Sequence, residues 1–238
     1  MIKENKFSKY ILYAIGEIIL VVIGILIALS INNWNENRKS NNKSYNYLQR
    51  LYDDIENVSK DVDFSIKDTE RKQKYSIMVL EALESKELPV SKKEDFDRYL
   101  KQYYQFQITI QNANTFNEMM SSGDVNLIKS KWLRSEFSNL ASIREFIMEV
   151  NQSNHNAYKI NIDLFQKHVR YHVQNVDTDS TKVTATYNFD AMANDSIFVN
   201  LISNQSYTWY EMSGMYKGYQ SFVNKIKDTI QVELKKYD

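Results

Sequence analysis

The hydrophobic and polar positions fall into stretches of different rhythm. Residues 10–31, YILYAIGEIILVVIGILIALSI, are apolar on every side, twenty-two positions with Glu17 the only charge. At about 1.5 Å rise per residue, a helix of that length runs roughly 33 Å, enough to cross a hydrocarbon core of about 30 Å. Beyond it the pattern turns amphipathic. Leu48, Leu51, Ile55, Val58 and Val62 step by 3, 4, 3 and 4, the narrow seam by which one helix lies along another. The seam weakens at Ser65 and Thr69, which leaves two readings, the core of a bundle or a free-standing coiled coil. The strongest pattern comes last. Ile202, Gln205, Trp209, Met212, Tyr216, Tyr219, Val223, Ile226 and Ile230 alternate steps of 3 and 4, with Asp195-Ser196 as the cap. This predicts a final helix that is either the centre of the bundle or a dimer seam.

The elements between are shorter. Leu88-Pro89-Val90 breaks the first helix, and Ser91-Lys92-Lys93-Glu94 reads as a capping box opening a second. That helix carries Phe96, Leu100, Tyr103, Tyr104 and Phe106, is disturbed where amides crowd over 111–114, and resumes through Phe116 and Met120. It stops at Gly123, a left-handed C-cap with Val125 folding back on the last turn. Residues 129–173 read as a third long helix, interrupted at 151–156 by an amide tract that marks either a bend or a polar layer facing a ligand. Over 174–195 the helical habit fails: Val183, Ala185, Tyr187 and Phe189 alternate with Thr184, Thr186 and Asn188, predicting a short strand or irregular excursion. The fold class is therefore all-α. A tail (1–9) and a transmembrane helix (10–31) lead into a juxtamembrane linker (32–43), either continued helix or tether, and then a helical bundle (44–238).

The span has a readable face. At about 100° per residue, Tyr13, Glu17, Leu20, Val21, Gly24, Ala28 and Ile31 share a stripe, with the carboxyl above the Gly24-x-x-x-Ala28 pair. Small residues four apart admit a close partner helix, and a carboxyl at that depth seeks a donor from it. The bland reading has Glu17 protonated or reaching the headgroups while the small residues face lipid. Ala28-Leu29-Ser30 loosely resembles a signal-peptide cleavage site, but an uncleaved anchor fits better, because the apolar core far exceeds the roughly 7 to 15 residues such regions use. Positive charge nearly balances across the span, Lys3, Lys6 and Lys9 against Arg38, Lys39, Lys43 and Arg50. The amino terminus is placed in the cytoplasm because long domains translocate largely regardless of charge.

Residues 7–36, FSKYILYAIGEIILVVIGILIALSINNWNE, resemble the amino-terminal signature of a family of single-pass membrane proteins of unknown function common in Bacteroidetes and flavobacteria. The likeness rests on Tyr13-Ala14-Ile15-Gly16-Glu17, the Val-Val-Ile-Gly run ending at Gly24, and Asn32-Asn33-Trp34-Asn35-Glu36. A second block, residues 115–123 with Leu127-Ile128 after it, is similar to the interior block of the same family. The resemblance implies a bacterial inner-membrane protein with a helical periplasmic domain, and it supplies no catalytic residues.

Composition narrows the chemistry further. With 30 basic and 30 acidic side chains the formal charge is zero, which disfavours a nucleic-acid partner, and zero cysteines removes disulfides and thiolate metal sites. His168 and His172, four apart on a helix, would share a face as two metal ligands do, but no third ligand is near and Lys167 and Arg170 repel a cation. Packing histidines are the simpler reading, and neither metal nor cofactor is expected. Asp177-Thr178-Asp179-Ser180-Thr181 begins like a calcium loop, yet Lys182 stands where glycine is required. Asp179-Ser180-Thr181 also resembles an acceptor for O-linked sugar.

Asn112, Asn114 and Asn117 form either a polar site or a local irregularity, and Tyr207, Trp209 and Tyr210 either core or a stacking platform. Gly214-x-x-x-Gly218 costs about 1 kcal/mol per glycine relative to alanine in a helix, which suggests that these residues and Trp209 serve helix packing. Phosphate loops and nucleophile elbows are absent from the sequence. The expectation is a non-enzymatic, membrane-anchored interaction module that meets the bilayer and a membrane-protein partner or a second copy. The alternative is a ligand-sensing bundle acting through a separate partner.

Overall fold

One helix, α1, runs from Glu4 to Ser85 through the apolar span, the polar segment after it and the first seam. The computed structural model describes residues 4–103, 105, 110–174 and 182–237. Of the two readings for 32–43, continued helix is the one observed. No glycine or proline occurs between Gly24 and Pro89, so nothing in the backbone interrupts the ladder. Arg38 covers the Trp34 ring at 5.4 Å and Lys39 pairs with Glu36 at 3.1 Å along this stalk. The helix ends in a Schellman motif: Glu87 N–H donates to Ala82 O (3.1 Å) and Lys86 N–H to Leu83 O (3.3 Å), with Lys86 left-handed at φ 58°.

The other elements are α2 (Lys93–Gln102), α3 (Asn114–Ser122), α4 (Lys131–Ile160), α5 (Ile162–Gln166), β1 (Val169–Gln174), β2 (Lys182–Tyr187), α6 (Phe189–Asn194) and α7 (Ser196–Leu234). The fold is all-α with a two-stranded β excursion, as the sequence predicts. α7 returns antiparallel along α1, pinned by Ser44 and Tyr237 (2.6 Å), Gln231 to Tyr52 (2.9 Å), Gln220 to Ser59 (2.7 Å) and Lys217 to Glu70 (2.7 Å). All nine predicted seam residues of α7 are buried against the rest of the chain, so α7 is the centre of the bundle. Leu48 through Val62 are bundle core as well.

The core has two apolar clusters. The one nearer the span joins Leu51, Ile55 and Val58 to Tyr219, Val223 and Ile226, with α3 and α4 closing its side. The far one gathers Val79, Leu83, Phe96, Leu100, Phe165 and Phe198 under α2, α5, the hairpin and α6. Between them the α1 seam does not end at Val62. It keeps its 3-4 rhythm through Ser65, Thr69, Lys72 and Ser76, all buried, to Val79 and Leu83. Lys72 extends over the Trp209 ring, while Ser65, Thr69 and Ser76 are short in the stretch of seam that faces the large Trp209 and Tyr216 of α7. Their hydroxyls need no outside partner: Ser65 donates to Asp61 O, Thr69 to Ser65 O and Ser76 to Gln73 O, each at 2.8 Å.

Four expectations are corrected. The capping box does not form; residues Val90–Lys92 make a 3-10 turn and α2 starts at Lys93 without a side-chain cap. The second helix is two helices, α2 ending at Gln102 and α3 beginning at Asn114; Tyr104 and Phe106 lie outside the described residues. The third helix stops at Ile160, where the Asn161 amide donates to Ala157 O at 3.0 Å and closes the last turn. Finally, 169–174 is a strand. Val169 and Phe165 satisfy a helical step, but Val169, Tyr171 and Val173 also alternate, and the β-rich sequence VRYHVQ pairs antiparallel with β2, Val169 opposite Tyr187 and Gln174 opposite Lys182. The predicted alternation over 183–187 is β2 itself. The Gly123 cap forms as expected, with φ 76°.

Candidate functional site

The span is the first candidate. Residues 10–31 lie in the one stretch among the described residues that is long and apolar enough to cross a membrane, with a mean hydropathy of 2.8 and no part of it buried against the chain. Glu17, Val21, Gly24 and Ala28 are all exposed, and a Cβ at Gly24 would meet nothing within 4 Å. The Glu17 carboxyl has no hydrogen-bond or ion-pair partner among the described residues.

Immediately beyond the stalk, the bundle clasps α1. Ser44 Oγ donates to Leu127 O at 2.7 Å, Lys43 pairs with Asp124 at 2.8 Å, Tyr47 donates to Asp124 at 2.9 Å, and Arg50 holds Glu118 with both nitrogens. The Lys43 hydrogen bond holds the Asp124 carboxyl below its ordinary range, helped by Ser122 and Tyr47. Asp54 accepts from Thr115 N–H at 2.8 Å, and Asp61 from Gln111 N–H at 2.9 Å. The block over 115–128 is thus what fastens onto the first turns of α1 after the stalk. The seam periodicity placed Leu51 and Ile55 correctly but gave no sign that Asp54 and Asp61, between seam positions, satisfy backbone donors of another segment.

Midway along α1 is a polar and aromatic layer. Lys72, its side chain 9% exposed, reaches Asp68 Oδ2 at 2.6 Å and Gln105 O at 2.6 Å, above the Trp209 ring at 4.8 Å. Burial pushes the Lys72 ammonium below its usual pKa, and the Asp68 contact pulls partly back. Gln205, the polar member of the α7 seam, accepts from the buried Tyr99 hydroxyl. Tyr216 donates to Asn151 at 2.8 Å, and Tyr158 stacks on Trp209 with centroids 6.0 Å apart. Trp209 is therefore core rather than a stacking platform, while Tyr207 and Tyr210 are exposed. Lys72 was legible in principle, since it falls on the seam rhythm counted onward from Val62.

The remaining candidates separate. His168 Nε2 lies 2.8 Å from Asp195 Oδ2, which also takes Lys167 at 2.7 Å, while Asp195 Oδ1 caps α7 through Ile197 N–H and Phe198 N–H. Lys167 and then His168 hold the Asp195 carboxyl well below the carboxylate range. His172 instead meets Thr186 Oγ1 at 2.9 Å across the hairpin. The shared helical face of these two histidines is thus corrected: four residues of extended chain span about 13 Å, too far for two imidazoles on one ion. No cluster of three metal-ligating side chains occurs among the described residues. Asp177-Thr178-Asp179-Ser180-Thr181 lies outside the described residues, and with it the calcium-loop and sugar readings.

Gly214 and Gly218 are exposed, and a Cβ at either would meet nothing within 4 Å, so the predicted close helix packing at this pair does not occur within the chain. The amide groups are equally modest. The hollow beside Asn112 and Asn117 holds about 20 Å³, room for one water, and Asn151 is engaged by Tyr216. α4 runs unbroken through 151–156. A hollow of about 90 Å³ lies between Asn154, Tyr158, Asn161 and Gln205.

Comparison with curated proteins and with solved structures gives no match. Residues 17–213 match the family described as "Family of unknown function (DUF6090)", and at that coverage the chain belongs to this family.

Proposed function

We propose that this chain is a membrane-anchored helical interaction module without catalytic activity. In this reading, residues 10–31 cross a bacterial inner membrane from a cytoplasmic amino terminus, and the bundle stands on the periplasmic side. The face of Glu17, Val21, Gly24 and Ala28 receives a helix of a membrane partner. The observation that carries the reading is a contrast within α1: its seam is buried from Leu48 to Leu83, yet every residue of the span is left open, Glu17 included. Lipid satisfies the apolar side chains. A carboxyl at that depth is costly unless a neighbouring helix donates to it, and Gly24 and Ala28 let such a helix come close. The span holds no basic or amide side chain on this stripe, so a second copy would offer Glu17 only another carboxyl or the Tyr13 hydroxyl. A different protein offering a hydroxyl, amide or basic group is the better fit.

The sensing alternative has less support. Hollows of about 20 and 90 Å³ at the amide groups fall short of the roughly 300 Å³ where small-molecule sites begin, and the groove of about 430 Å³ between α4 and α7 draws only Asn154 from the amide tract. Affinity purification of the full chain from native membranes in mild detergent, beside the Glu17→Leu, Gly24→Leu variant, tests the proposal. A defined membrane protein that co-purifies and is lost with the variant supports it. Recovery of this chain alone rejects docking onto another protein.

A further inference from the structure

We propose that the groove between α4 and α7 receives an amphipathic helix of another protein, one with apolar residues along one face and lysine or arginine on its flanks. This inference concerns a surface remote from the span and does not depend on the anchor having a partner. The groove holds about 430 Å³ and is lined by Phe146, Val150, Tyr207, Glu211, Met212 and Met215. Phe146 is 60% and Tyr207 64% exposed, a high toll of bare aromatic surface on a bundle that buries its seams so fully. Met215, half-buried on the α7 wall, is the kind of side chain that adapts to an irregular apolar partner, while Met212 forms the buried floor.

The groove is also long. It shares Asn154 and Thr208 with the smaller hollow that reaches Asn161 and Leu201. From Phe146 to Asn161 is about 22 Å of α4, roughly four turns of a docked helix.

Charge names the partner. Residues 145–160 of α4 and 197–216 of α7 contain Glu145, Glu149 and Glu211 against a single base, Lys159 at the far end of the groove, in a chain whose acids and bases balance at 30 each. All three carboxylates are exposed. The nearest base on α7, Lys217, is turned toward α1, where it pairs with Glu70 at 2.7 Å. An apolar trough with acidic margins attracts a helix with basic flanks and repels one with acidic flanks.

Photo-crosslinking of the full-length chain in its native membranes tests this, with p-benzoylphenylalanine placed at Phe146 and, as the control, at exposed Phe64 on α1. The expected result is an adduct from position 146 only, whose crosslinked peptide has helical apolar spacing with lysine or arginine beside it. Its yield should fall about tenfold when Glu145→Lys, Glu149→Lys and Glu211→Lys are combined in a chain that unfolds at the parent temperature. It should persist in the Glu17→Leu, Gly24→Leu variant, which separates this site from the anchor. No adduct, an adduct to a second copy of this chain, a peptide without basic flanks, or a yield indifferent to charge reversal would each overturn the proposal.

Discussion

Replacing Gly214 and Gly218 by alanine should make the protein more stable. Both lie inside α7, far from either end, and neither has a positive φ. A Cβ built at either position meets no atom within 4 Å, so the substitution introduces no clash and displaces no neighbour. What remains is the backbone term: a glycine inside a helix is about 1 kcal/mol less favourable than alanine, chiefly because the unfolded chain loses freedom when a Cβ is added. Each substitution acts through its own residue's backbone freedom, so the two together come to about 2 kcal/mol. For a folded unit of this size, 1 kcal/mol moves Tm by roughly 2 to 4 °C, which makes the expected rise about 4 to 8 °C for the double variant. Circular dichroism at 222 nm during thermal unfolding, in one detergent for parent and variant, measures it. A Tm that stays or falls would refute the reasoning, because it would mean that the glycines carry a packing role within the fold that the open space around them denies.

Three further substitutions probe other parts of the same account. Lys86→Gly should stabilise by about 1 kcal/mol, read as a shifted denaturation midpoint, because φ 58° is strained for a side chain and free for glycine. Lys72→Ala should cost about 2 to 3 kcal/mol by the same assay; it leaves Gln105 O without its donor and Asp68 with Arg71 alone. Asp195→Asn keeps a good cap for α7 but removes the charge shared by Lys167 and His168. Since the folded carboxyl binds its proton below the unfolded value of about 3.9, its stabilisation is present above that pH and lost as pH falls beneath it. The variant should therefore show a flatter fall in Tm from pH 5 to pH 3 than the parent, and an unchanged profile would count against the Lys167–His168–Asp195 contact.

Apolar content and rhythm were legible where they were unbroken. The uniform span and the nine-position seam of α7 could be read directly because large apolar residues carried every step but one, and that one, Gln205, is explained only by the Tyr99 hydroxyl that folding brings to it. The α1 seam faded from view at Ser65 because hydropathy ranks serine, threonine and lysine as surface, whereas here Ser65, Thr69 and Ser76 leave room for Trp209 and Tyr216, and Lys72 is held by Asp68 and Gln105 O. β1 was hidden because Val169 satisfies a helical and an alternating reading at once, and its partner strand lies across 175–181. The glycine pair suggested a close approach that the fold does not make, since spacing says which residues share a face but not which way that face turns. Candidate chemistry was legible least. The Asp54 and Asp61 carboxylates act on backbone groups some 50 to 60 positions away in sequence, a pairing no local pattern encodes.

If residues 10–31 cross a bilayer as proposed, α1, which has no joint between the span and the far end of the seam, acts as a lever with its fulcrum there. The arm from Ile31 to Ser85 is about 80 Å long, so a change in tilt of about 10°, well inside the range that bilayer thickness imposes on single helices, sweeps its tip sideways by about 14 Å. A hinge in the stalk would absorb that motion; an unbroken helix delivers it. On that proposal, membrane thickness, or a helix leaning on the span, would set where the hairpin end of the bundle points and which neighbours fall within its reach.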